Sequence, residues 1–205
     1  MTKIEALVVV LVLIILAAMF LPALLPARRK VSKLNCVNHV KQIQLSFKTW
    51  AVDNDDKLPM EVSVTKGGAM EQAEKGNLIT TFQIMSNELS ATKLLVCPTD
   101  IKRTPATSFS DLGKQNISYF IGLDAGTNYP SSILLADDNL AVAGIPTSSG
   151  LLKLASNAPV EWTAERHVGQ GNIGLANGTV HQLSSAGFRS YLTQNGLATN
   201  RLVIP

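Results

Sequence analysis

The chain opens with an uninterrupted apolar run and only later settles into periodic patterns. From Ala6 to Ala27 no charged or polar side chain appears. As one helix rising about 1.5 Å per residue, this run spans roughly 33 Å, enough to cross a bilayer core. The pattern then becomes helical. Val31, Leu34, Val37, Val40, Ile43, Phe47 and Trp50 recur at steps of three or four between Lys30 and Asp53, with Lys33, Asn38, Lys41, Gln42 and Lys48 mostly between them. One long helix is therefore expected, its first part a transmembrane anchor over residues 1–27 and its outer half, 28–56, laid on a globular head over 57–205.

The cluster Asp53-Asn54-Asp55-Asp56-Lys57-Leu58-Pro59 ends that helix, since Asp and Asn favour turns and proline disfavours helix before it. A loop or short helix is expected over 61–77. A helix over Leu78–Leu95 follows, with Phe82, Met85 and Leu89 inward. Residues 101–116 read as loop, and 117–123 and 132–137 as short strands. A β-hairpin is expected near 172–183 around Asn177-Gly178, a pair suited to a type I′ turn in which both positions need positive φ. Ser184–Asn195 reads as a short helix with Phe188, Tyr191 and Leu192 inward and Gly196 at its end.

Composition narrows the classes. At 205 residues the chain holds one domain plus an anchor. Its net charge of +3, unchanged when Lys3 and Glu5 are set aside, is far from the basic excess of a nucleic-acid binder, so no nucleic-acid partner is expected. The two cysteines, Cys36 and Cys97, form no C-x-x-C pair, which argues against a zinc or thioredoxin-like motif. They read either as one disulfide or as two buried free thiols. A cleaved secretory signal competes with the anchor, but the apolar run is too long and flows into a polar helix with no cleavage motif. Arg28, Arg29, Lys30 and Lys33 follow the run, so charge alone puts the head on the cytoplasmic side.

Met1, Thr2, Lys3, Ile4 and Glu5, followed by the apolar run, resemble the start of a mature type IV pilin or type II secretion pseudopilin. Thr2, Ile4 and Glu5 match that family's pattern, Lys3 stands where it carries leucine, and the leader that it cleaves after a glycine is not among these residues. Pro22 falls where such proteins carry a helix-kinking proline, and Pro26 adds a second break. The run Asn35-Cys36-Val37-Asn38-His39-Val40-Lys41-Gln42-Ile43 is similar to the C-x-N-N-L-K-Q-I pattern of a pilin-like group. Cys97-Pro98-Thr99-Asp100 resembles that group's Cys-Pro-Ser-Asp element. His167 with Asn177-Gly178 ten and eleven residues on resembles its H-x9-D-G element, in which Asn172 also matches and Asn177 replaces the aspartate.

The resemblance implies an α+β fold, with a long transmembrane-plus-amphipathic N-terminal helix packed on a small antiparallel β-sheet head. It implies a single-pass inner-membrane protein whose head lies in the periplasm or on an extracellular fibre. It also implies a non-enzymatic structural subunit whose partners are other pilin-like subunits, the inner-membrane assembly machinery and lipid. Met1, Thr2, Ile4 and Glu5 would serve assembly, Glu5 by pairing with a neighbour's N-terminal amine. A Cys36–Cys97 bridge would clamp the long helix to the turn at 96–100. The alternative is an unassembled membrane-anchored periplasmic binding module.

No cofactor is expected. Asp137 and Asp138 are the candidates for a calcium ion near the sheet. His39, His167 and His181 are scattered and assemble no zinc set. The letters of G-x-G-x-x-G at Gly169, Gly171 and Gly174 lack the strand-then-helix context of a dinucleotide site. Ser90-Ala91-Thr92-Lys93 spells S-x-x-K without its companion motifs.

Overall fold

The computed structural model describes residues 3–126 and 128–205, and for residues 19–32 the backbone alone. The chain is α+β. Helix α1 (Lys3–Val52) is followed by three short helices, α2 (Met70–Glu74), α3 (Ile79–Ile84) and α4 (Ser86–Leu89). Among the described residues nine strands and one further α-helix follow: β1 (Tyr119–Gly122), β2 (Ile133–Asp137), β3 (Leu140–Val142), β4 (Ile145–Pro146), β5 (Gly150–Ala155), β6 (Val160–Trp162), β7 (Gln170–Leu175), β8 (Val180–Ser184), α5 (Ser185–Gln194) and β9 (Thr199–Ile204).

The main sheet has six strands in the order β5-β9-β1-β2-β7-β8, every neighbouring pair antiparallel. A second sheet, β4-β3-β6, is also antiparallel. The head is thus larger than the small sheet expected. Both faces of the main sheet are covered, because successive side chains of a strand point to opposite faces. One face carries Tyr119, Ile121, Leu134, Leu135 and Val203 against Cys36, Val40, Ile43, Phe47 and Trp50 of α1. The other carries Phe120, Ile133, Ala136, Ile173 and Leu202 against Trp162, Phe188 and Leu192.

The transmembrane anchor expected over 1–27 is corrected here, and with it the single-pass inner-membrane placement and the periplasmic head. Among the described residues no helix is long and apolar enough to cross a membrane. Of the apolar run, the described side chains end at Ala18.

Other expectations shift for local reasons. The inward stripe of α1 runs through Cys36, Val40, Ile43, Phe47 and Trp50, while Leu34 is 63% exposed. The helix expected over Leu78–Leu95 is broken by Met85 and by Ser90, whose φ of +61° is left-handed. Ser46 of α1 donates to the Glu88 carbonyl at 3.0 Å, satisfying an acceptor at that break. Two residues of β2 oppose one of β7 where the register shifts between Ile133 and Leu135. This bulge places Leu134 and Leu135 on the same face and reverses the alternation beyond them.

Close approach of α1 to β7 depends on Gly174, where a Cβ would lie 2.8 Å from Val40 Cγ1 and 2.9 Å from the Gln44 amide. Gln44 Nε2 donates to the carbonyls of Leu175 (2.7 Å) and Thr179 (3.1 Å), which ties the helix to the hairpin. The hairpin turn is not type I′. Gly178 has φ +92° while Asn177 is not in the positive-φ region, and Gly178 N–H donates to Leu175 O at 2.9 Å. That is a three-residue loop with glycine at the left-handed position.

Candidate functional site

Four elements bring chemistry-bearing side chains to one buried point. Cys36 comes from the inward stripe of α1, and Cys97 from the turn after the 3-10 segment Thr92–Leu95. Asp137 ends β2, turned toward α1 by the bulge. His167 lies in the loop before β7. A sulfur of each cysteine, a carboxylate oxygen and a ring nitrogen all lie within 4.8 Å of one another, and all four residues are buried. The two Sγ atoms are 2.7 Å apart, and both cysteines are free thiols. His167 Nε2 lies 3.3 Å from Cys97 Sγ and 3.5 Å from Asp137 Oδ2, and Cys36 Sγ lies 3.5 Å from Asp137 Oδ1.

A second layer holds these groups. Asn172 donates twice to Asp137 Oδ2, through its backbone N–H at 2.7 Å and its side-chain amide at 2.9 Å. The Thr99 hydroxyl sits 3.1 Å from Cys97 Sγ, and the Tyr119 hydroxyl 3.5 Å from Cys36 Sγ. His167 and Val168 have φ of +51° and +56°, followed by Gly169 at +72°. Two consecutive non-glycine residues in the left-handed region, one β-branched, are a costly arrangement, held only where the surroundings enforce it.

Protonation follows from these contacts. The hydrogen bond from Cys36 pulls the Cys97 thiol down to about 4, against burial and with help from His167 and Thr99. Cys36 moves the other way, raised by that same hydrogen bond, by burial and by the Asp137 charge. Burial lifts Asp137 to about 6, with the Cys97 charge adding to it. Burial works against a charged His167, but the Cys97 hydrogen bond and Asp137 outweigh it and its value rises.

Beside this cluster lies a charged quartet. Arg166, 6% exposed, reaches Asp100 at 3.2 Å and pairs with Asp138; Arg103 reaches Asp138 at 2.5 Å and Asp100 at 3.4 Å. Arg166 also donates to the Ser118 carbonyl at 3.0 Å. Burial opposes its charge, yet the three carboxylates of Asp138, Asp137 and Asp100 raise its pKa. The quartet borders a cleft of about 360 Å³ whose lining includes none of the four clustered residues.

Cys97, His167 and Asp137 have the composition of a nucleophile, base and acid. Their geometry differs from that of a triad: sulfur and carboxylate both approach Nε2, whereas a triad orients its histidine through the other ring nitrogen. His167 Nδ1 is buried with no hydrogen-bond partner.

The residues singled out from sequence part company. Ile4 and Glu5 lie in the first turn of α1, exposed; Met1 and Thr2 are outside the described residues. Helix α1 is continuous through Pro22 and Pro26, whose side chains are also outside them. Cys36 and Cys97 meet. His167 and Asn172 join them, whereas Asn177 and Gly178 sit beyond the other end of β7, where Lys48 Nζ donates to Asn177 O at 2.9 Å. The H-x9-D-G-like element is therefore split between cluster and turn. Asp137 and Asp138 share no oxygen cage: one faces the thiols, the other the arginines. His39 bonds Val96 O at 3.1 Å, and His181 is exposed on β8. Gly171 and Gly174 serve packing, the former against the Trp162 ring.

The cluster leaves no signature in the sequence, because its four side chains come from four distant segments with no short-range spacing. A second feature was visible from the start. From Ile4 to Leu16 the large apolar side chains of α1 are 46% to 77% exposed. Leu7, Val8, Val9 and Val10 are consecutive, so at about 100° per residue they face every side of the helix. No family model, curated protein or solved structure matches the chain, so the resemblance of its N-terminus to pilins draws no support from them.

Proposed function

We propose that the protein is a structural subunit, not an enzyme, that packs against copies of itself through the N-terminal part of α1, in the manner of pilin-like fibres. One observation supports this reading: the apolar side chains of Ile4–Leu16 stand exposed around the whole circumference of the helix. A helix that is apolar on all sides belongs in an interior. A single groove covers one face of it; a bundle of parallel copies covers all of them. Among the described side chains the apolar core of the head meets α1 from Cys36 onward, and those of the first turns stand exposed. In this reading Glu5 sets the stagger between copies by pairing with a neighbour's amine, as the resemblance implies. Because a charge pair in a dry bundle contributes little net stability, its role is register rather than strength.

The test is assembly of the full chain. Sedimentation velocity on wild type is expected to show concentration-dependent species far above monomer, with filaments by negative stain. Val8→Lys with Leu11→Lys and Ile15→Lys places three cations on the rod and is expected to leave monomer, with the head's circular dichroism and melting temperature unchanged. Glu5→Leu is expected to assemble with disordered stagger. Wild type that stays monomeric at every concentration, or a triple variant that assembles like wild type, refutes the proposal.

A further inference from the structure

We propose that Cys36, Cys97, Asp137 and His167 hold one divalent transition-metal ion of the zinc class in a closed, tetrahedral site that staples α1 to the sheet. This goes beyond assembly and rests on different residues. Two thiolates, an imidazole and a carboxylate form a four-donor set for zinc, whereas calcium takes six to eight oxygens. Part of the donor geometry is already in place. Around a tetrahedral ion with bonds of about 2.0–2.3 Å, mixed sulfur, nitrogen and oxygen pairs lie about 3.3–3.6 Å apart. The sulfur–nitrogen pair is at 3.3 Å; the nitrogen–oxygen pair, through Asp137 Oδ2, and the sulfur–oxygen pair, through Asp137 Oδ1, are each at 3.5 Å. The two sulfurs, at 2.7 Å, need to part by about 1 Å to reach a tetrahedral separation.

The surroundings favour a cation over a disulfide. A disulfide would leave a fully buried Asp137 and a buried His167 ring aimed at sulfurs that offer them no proton. A cation satisfies all four donors at once. Asn172 fixes the carboxylate, and the Thr99 and Tyr119 hydroxyls stand beside the sulfurs, the outer-shell contacts that orient metal ligands. The left-handed backbone at His167 and Val168 turns the ring inward while Arg166 points to its carboxylates. Binding displaces to solvent the thiol protons of Cys36 and Cys97 and any proton carried by Asp137 or His167 Nε2. No open coordination position faces the neighbouring cleft, so the role is structural.

The experiment uses the full chain, purified with reductant. Titration with Co²⁺ is expected to give one equivalent bound, with the intense visible bands of a tetrahedral site and a thiolate-to-cobalt band, and Zn²⁺ is expected to displace it and raise the melting temperature. Cys97→Ser and His167→Ala are expected to lose that spectrum, Asn172→Ala to bind about 10–100-fold more weakly, and His181→Ala to match wild type. Folded, reduced wild type that takes up no cobalt, or a spectrum unchanged in Cys97→Ser, overturns the proposal. So does a mass two hydrogens lower, marking a Cys36–Cys97 bridge, that persists with zinc and reductant present. Wild-type stoichiometry decides the matter even where a variant does not fold.

Discussion

Replacing Gly174 by alanine tests how closely α1 is docked on the sheet. The glycine's φ is not in the left-handed region, so the backbone accepts alanine, and the gain from a less flexible unfolded chain is about 0.4–1 kcal/mol. Against this stands contact. The new methyl lies 2.8 Å from Val40 Cγ1 and 2.9 Å from Gln44 Cδ and Nε2. Overpacking of this kind costs about 1–3 kcal/mol. Displacing Gln44 also weakens its bonds to the Leu175 and Thr179 carbonyls, each contributing about 0.5–1.5 kcal/mol. The net expectation is a destabilisation of about 2–3 kcal/mol. Urea unfolding followed by Trp50 and Trp162 fluorescence measures it. Val40→Ala removes the nearest obstructing atom, so the double variant should recover about 1 kcal/mol relative to additivity. A Gly174→Ala protein as stable as wild type, or no coupling in the cycle, would refute the close-docking argument.

Three further outcomes are expected. Arg166→Met should destabilise by about 3–5 kcal/mol, because the buried Asp100 and Asp138 carboxylates lose a partner; a loss under about 1 kcal/mol in the same assay contradicts the buried-quartet reading. Ser184→Ala should cost about 1 kcal/mol through loss of the cap on α5, where the hydroxyl accepts from Gly187 N–H at 3.2 Å. The Glu71 carboxyl is held below its ordinary value by the Ser63 hydroxyl and then the Val64 N–H. A depressed carboxylate contributes stability above its unfolded pKa and loses it as pH falls through the folded value. Ser63→Ala should therefore move the Glu71 titration, read by NMR, back up toward the ordinary carboxylate range.

Periodicity made the inner stripe of α1 legible at Val40, Ile43, Phe47 and Trp50, because burial on one helix face repeats at three and four. It included Leu34, which is exposed, and passed over Cys36, which lies on the face that meets the sheet. The strands at 119–122 and 133–137 were visible as β-rich apolar runs. Strands β3 to β6 and β9 were not: they are short, or mix charged residues such as Lys153 and Arg201 into strands that only pairing makes regular. The bulge in β2 leaves no local mark in Ile133-Leu134-Leu135-Ala136, yet it decides which face Asp137 takes. The cluster itself needed that face, the Asn172 position on β7 and the unusual backbone at His167 all at once, none of which a linear pattern encodes.

Strand β9 lies between β5 and β1, although it is the last element of the chain. A nascent polypeptide released only as far as Leu197 therefore has β1, β2, β7 and β8 able to pair, while β5 waits without a neighbour and β1 keeps an open edge. The long sequence separation between β1 and β9 raises the contact order of the head and makes closing that edge a late step in folding. Until residues 199–204 pair with it, the open edge of β1 is a template for pairing with another chain.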